Sequence, residues 1–139
     1  MQRATLSLLL ALSVLCCTPV IGADDDDAIM VIEGIAVLDG RLDEAIFYYE
    51  HNWGYFRRQA LERGYIESFD MVVGDDLAES VDIVLITRFD SAAQYDAIED
   101  RFEEIMSERE LKLLNKVEPG DFRKNVFVVT NSASRNTAD

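Results

Sequence analysis

The stretch Val81 to Phe89 reads Val-Asp-Ile-Val-Leu-Ile-Thr-Arg-Phe, and its middle is apolar on both alternating faces. Successive side chains of a strand point to opposite sides of a sheet, so a strand of this kind needs cover on both. Ile29 to Val37 has the same character, interrupted by Glu33 and Gly34, and Val126-Phe127-Val128-Val129 gives Phe122 to Thr130 the same reading. A further strand is expected from Tyr65 to Val73, carrying Ile66, Phe69, Met71 and Val72 and ended by the turn signal Gly74-Asp75-Asp76.

Two helical patterns separate these strands. After the turn signal Leu38-Asp39-Gly40, a helix is expected from near Arg41, with Asp43 and Glu44 in its first turn, where the helix dipole favours negative charge. Its apolar stripe is Leu42, Ile46, Tyr49, Trp53, Phe56 and Ala60, and Gly64 supplies the stop. Ser91-Ala92-Ala93-Gln94 matches a capping box opening a second helix to about Glu108, with Tyr95, Ile98, Phe102, Ile105 and Met106 on one face. Leu111 to Asp121 reads as a loop packed on the core, and Asn131 to Asp139 as a polar, disordered tail.

The order strand, helix, strand, strand, helix, strand is the split βαβ arrangement of the α+β class: an antiparallel sheet with both helices on one face. The opposite face is then apolar and uncovered, which ordinarily marks an association surface. A homodimer joined through the helix-free face is the expected solution.

With 139 residues the chain has room for one domain, expected over 29–130. The 27 acidic against 13 basic residues give a net charge of −14, which repels a phosphate backbone and an anionic membrane alike. No nucleic-acid partner is therefore expected. Residues 1–23 have the layout of a secretory signal peptide: Arg3, an apolar run from Leu6 to Leu15, Pro19, and the small-residue end Ile21-Gly22-Ala23. That run is too short to span a bilayer, which needs about 20 apolar residues. The mature chain would begin with the acidic segment 24–28, carry no transmembrane segment, and be exported to the periplasm or the exterior. Cys16 and Cys17 would leave with the peptide, excluding disulfides and thiol chemistry. The alternative, a lipid anchor on Cys16 or Cys17, lacks the small residue that normally precedes such a cysteine.

The stretches Ser80 to Asp90, Arg101-Phe102-Glu103-Glu104-Ile105, Leu111-Lys112-Leu113-Leu114-Asn115 and Asp121-Phe122-Arg123, set in the βαββαβ order, resemble the dimeric α/β-barrel superfamily of ferredoxin-like domains, which includes antibiotic-biosynthesis-type monooxygenases and small lactone isomerases. The resemblance covers about Ile29 to Val129. It implies a ferredoxin-like fold, pairing into a barrel, and small apolar ligands held between sheet and helices; it designates no activity.

The residues supply few candidates for chemistry. His51, the sole histidine, lies about 180° from the helix stripe and should face solvent. His51-Asn52-Trp53 are consecutive on one helix and point about 100° apart, so they do not converge as the separate Asn, Trp and His of the resembled monooxygenases do. Trp53 is expected inside and Asn52 on a flank. No metal site is expected, since neither Asp24 to Asp27 nor Asp75-Asp76 has the ligand spacing of a calcium loop. No GxSxG or GxxxxGK[ST] motif is present, and no cofactor is expected. Glu33 or Asp82 is expected to pair with Arg88 across strands.

Tyr49, Trp53 and Tyr95 are the expected walls of a ligand pocket. Phe47, Tyr48 and Tyr55, off the stripe and beside Arg57 and Arg58, suggest a contact surface. Catalytic residues are not identifiable. Three readings stand: a ligand-binding protein, a cofactor-free monooxygenase- or isomerase-like enzyme, and a non-catalytic dimeric interaction module.

Overall fold

The structure, a computed structural model, describes residues 28–78 and 80–132. The signal-peptide reading of 1–23, both cysteines, the acidic run Asp24 to Asp27 and most of the C-terminal tail lie outside the described residues. Four strands, β1 (Ile29–Val37), β2 (Ser68–Ala78), β3 (Val81–Phe89) and β4 (Arg123–Ser132), form one sheet in the order β2-β3-β1-β4. Every neighbouring pair is antiparallel. This is the ferredoxin-like arrangement expected from the sequence.

The register sorts the strand residues between two faces. Odd positions of β3, Val81 to Phe89, are buried beneath the helices, and the even positions are half-buried on the other side. Because Glu33 pairs in register with Leu85 and Met30 with Arg88, Glu33 faces the helices whereas Arg88 does not. The expected Glu33–Arg88 pair is therefore geometrically excluded. Arg88 bonds instead to Asp70 on β2, and Asp82 accepts the Val37 amide at 2.7 Å. The helix-free face presents Met30, Ile32, Val84, Ile86, Phe127 and Val129, with Val129 49% exposed. Gly34 is required there: a Cβ would fall 2.4 Å from the Phe127 ring.

The first helical region is not uniform. It comprises α1 (Leu42–Tyr48), a π-helical turn (Tyr49–Trp53) and α2 (Gly54–Glu62). The buried positions are Ala45, Tyr49, Asn52, Gly54, Phe56 and Ala60. Asn52, expected on a flank, lies wholly inside, covered by the chain at Lys112, and Trp53 is only half-buried. The second helical region also divides, into α3 (Ala92–Asp96) and α4 (Ile98–Ser107), at Ala97. Ser91 caps it by accepting the Gln94 amide, while Gln94 Oε1 accepts from the Asp90 amide rather than from Ser91 itself.

Two further differences from the sequence reading concern connections. Gly74-Asp75-Asp76 does not end β2, which runs on to Ala78 with an irregular register after Val73; the reversal falls beside Ser80, at φ 63°. Irregular pairing of this kind lets a glycine stay within a strand. The segment after α4 packs on the core as expected but includes one helical turn, α5 (Pro119–Phe122), whose Phe122 is buried as an anchor before β4 rather than as its first residue.

Candidate functional site

The π turn forms one wall of a cleft of about 680 Å³. Tyr49 and Trp53 line it from the helix, and Phe69 and Met71, on the helix-facing side of β2, line it from the sheet. Its polar rim carries Arg58, Arg109, Lys112, His51 and Glu50. In a chain with 13 basic residues against 27 acidic ones, three cationic side chains and the sole histidine share this cleft with one carboxylate. The local charge thus opposes the global one.

Asn52 fixes the far wall. Its Oδ1 accepts the Lys112 amide at 2.8 Å, and its Nδ2 donates to the Lys112 carbonyl at 2.7 Å and to the Tyr48 carbonyl at 3.1 Å. Arg109 donates to the His51 carbonyl and lies over the Tyr55 ring, 4.0 Å from its centroid. The chain from Arg109 to Lys112 is therefore clamped across the π turn. Two buried donors in the cleft's lining residues, Trp53 Nε1 and Arg109 Nε, have no hydrogen-bond partner among the described residues. Buried donors of this kind are ordinarily satisfied, and leaving one unpaired costs about 1–3 kcal/mol.

Tyr95 does not join Tyr49 and Trp53. It lines a separate cavity of about 210 Å³ between the sheet and α4, with Glu33, Arg57, Thr87, Phe89 and Phe102 among its other walls. Arg57 Nε donates to Thr87 Oγ1 at 3.0 Å, and its guanidinium lies 3.9 Å from the Phe102 centroid and 5.0 Å from that of Trp53. Burial pulls the Arg57 pKa down to about 10, against the opposing charge of Glu33. Tyr49 is pushed up to about 12 by burial, although Arg123 Nη1 donates to its hydroxyl at 3.2 Å.

The outer aromatics are half-buried and each packs on a neighbour. His51 is exposed as expected, but Phe47 stacks on it at 4.1 Å. Tyr48 packs against Phe122 beneath Arg123, and Tyr55 lies under Arg109. Arg57, expected beside them on the contact surface, points inward. The segment after α4 crosses this side of the helix and supplies the cover.

Sequence reasoning missed Asn52, Arg57, Arg58, Arg109 and Lys112 as site residues. One signal was present: Arg57 follows Trp53 by four, the spacing that stacks side chains on one helix face. Another was Arg109, Lys112 and Lys116, a local basic excess in an acidic chain. Among the described residues, no group of three or more His, Cys, Asp or Glu side chains is placed to hold a metal ion, and no helix is long and apolar enough to cross a membrane.

No family profile and no curated protein matches the sequence. Among solved structures, the chain is similar to HapK from Hahella chejuensis, at a TM-score of 0.51 and 14% identity over 80% of this chain and 97% of that one. It is also similar to a dimeric protein of unknown function and ferredoxin-like fold from Bacteroides fragilis NCTC 9343, at a TM-score of 0.42 and 15% identity over 76% and 96%. The likeness to HapK is one of fold.

Proposed function

We propose that the chain is an exported, homodimeric ferredoxin-like protein that binds a small aromatic or otherwise apolar anion in the cleft at the π turn. The observation that carries the reading is the cleft's composition: apolar walls from Tyr49, Trp53, Phe69 and Met71, set against Arg58, Arg109 and Lys112 in a chain of net charge −14. A carboxylate ligand would meet cationic donors, and an aromatic ring would meet the Trp53 indole, whose Nε1 has no partner among the described residues. Pockets of about 300–1,000 Å³ with apolar walls and a few convergent polar groups are the usual form of small-molecule sites. Export rests on the layout of residues 1–23, and dimerisation on the apolar helix-free face.

Trp53 is the only tryptophan and lines the cleft, so a ligand bound there alters its fluorescence. Titration with trans-cinnamate is expected to quench it saturably, and the neutral cinnamyl alcohol to bind at least tenfold more weakly, since a hydrogen bond to a charged group contributes about 1.5–3 kcal/mol. Equal affinities for acid and alcohol would sink the reading.

A further inference from the structure

The cavity at Tyr95 has chemistry unlike that of the cleft. Glu33 faces the helices from β1, and Arg57 reaches it from α2. Arg57 is held in a fixed pose by Thr87 on its Nε and by the Phe102 and Trp53 rings on its plane. Among the described residues, no group of the protein hydrogen-bonds its two terminal nitrogens. The Glu33 carboxylate likewise has no hydrogen bond or contact ion pair among them, although its charge acts on both Arg57 and Tyr49. A donor and an acceptor thus line one open-sided cavity without meeting, with Phe89, Tyr95 and Phe102 among its other walls.

An apolar cavity of about 150 Å³ holds one benzene ring. The 210 Å³ here leaves room for a ring with two small polar substituents. On its open side lie Val128 and Thr130 of the edge strand β4, where Val128 is 57% exposed.

We propose that this cavity is a second binding site, for a single-ring phenol that carries a carbonyl opposite its hydroxyl. The carbonyl oxygen accepts from the free Arg57 nitrogens, the hydroxyl donates to Glu33, and the ring packs between Tyr95 and Phe102. Entry is along β4, past Val128. The site is a separate cavity from the cleft, although Trp53, a wall of the cleft, packs on its Arg57, and the ligand class differs because Glu33 and Arg57 together offer no net positive charge.

The test is calorimetric titration of the full chain with 4-hydroxyacetophenone and with acetophenone, which lacks the hydroxyl. The hydroxylated ketone is expected to bind at least tenfold tighter. Glu33→Leu should bring the two affinities within threefold of each other, and Glu33→Gln, which keeps a weaker acceptor, should give an intermediate ratio, with circular dichroism verifying the fold of each. Val128→Trp, at the exposed mouth, should weaken both ligands more than tenfold. Lys112→Ala, in the cleft, should change neither. The proposal is overturned by equal wild-type affinities, by no binding at millimolar ligand, by a ratio that survives Glu33→Leu, by unaltered binding in Val128→Trp, or by loss of binding in Lys112→Ala. Failure of cinnamate to quench Trp53 would count against the cleft and leave this site standing.

Discussion

Asn52→Ala is the sharpest perturbation of the cleft, because one buried amide holds its far wall. The Asn52 side chain makes two hydrogen bonds to the Lys112 backbone and a third to the Tyr48 carbonyl, accepts a longer fourth from Arg109 Nη2 at 3.3 Å, and is wholly buried. Net contributions of about 1 kcal/mol for each of the three shorter bonds give about 3 kcal/mol. The Tyr48 carbonyl keeps its place in the helix, and Lys112 can regain water if its segment lifts, so the expected loss is about 2–3 kcal/mol. For a domain of this size that corresponds to a drop of roughly 10–20 °C in Tm. Urea unfolding should show an earlier midpoint with little change in m, because nearly the same surface is exposed. Hydrogen exchange should show the Lys112 amide losing protection while β1 and β3 amides keep theirs relative to the new global stability. A loss below about 0.5 kcal/mol, or an equally protected Lys112 amide, would refute the clamp.

Tyr49, pushed to about 12, should ionise well above the ordinary tyrosine value near 10, read as a late step of phenolate absorbance. Its folded pKa lies above the unfolded value near 10, so its contribution to stability is complete below pH 10 and lost between about 10 and 12; Tyr49→Phe should remove both the late phenolate step and that decline. Ile86→Glu, in the centre of the helix-free face, should convert a dimer into monomers in light-scattering chromatography, and a wild-type chain that is already monomeric would overturn the dimer.

The architecture was legible because it rests on period. Alternation along β3 and β1 and the stripe of the first helix depend on local spacing, and they place Tyr49 and Phe56 inside without knowledge of anything distant. The site was less legible. Asn52 became internal because the chain at Lys112 lies over it, and a helical projection at 100° per residue carries no information about so distant a segment. Arg109 and Lys112 join the cleft through contacts nearly 60 positions away in the chain. Arg88 illustrates the same limit at shorter range: its partner was sought among Glu33 and Asp82, but register puts Glu33 on the opposite face and leaves Asp70, on the neighbouring strand, within reach.

A cationic cleft in a strongly acidic protein sets two opposing fields on an incoming anion, and they have different ranges. The net charge of −14 repels it from a distance, whereas Arg58, Arg109 and Lys112 attract it at contact. Salt screens the two unequally: the Debye length falls from about 30 Å at 0.01 M to about 8 Å at 0.15 M and about 3 Å at 1 M. Going from 0.01 to 0.15 M therefore removes most of the long-range repulsion and leaves contacts of a few ångströms largely intact, while molar salt weakens those as well. Cinnamate affinity for this protein should accordingly rise and then fall as sodium chloride is increased, with its maximum near physiological ionic strength. Cinnamyl alcohol, being neutral, should show neither limb. A steady fall from the lowest salt upward would mean that the local cations dominate at every distance, and a steady rise would mean that they do not engage the ligand at all.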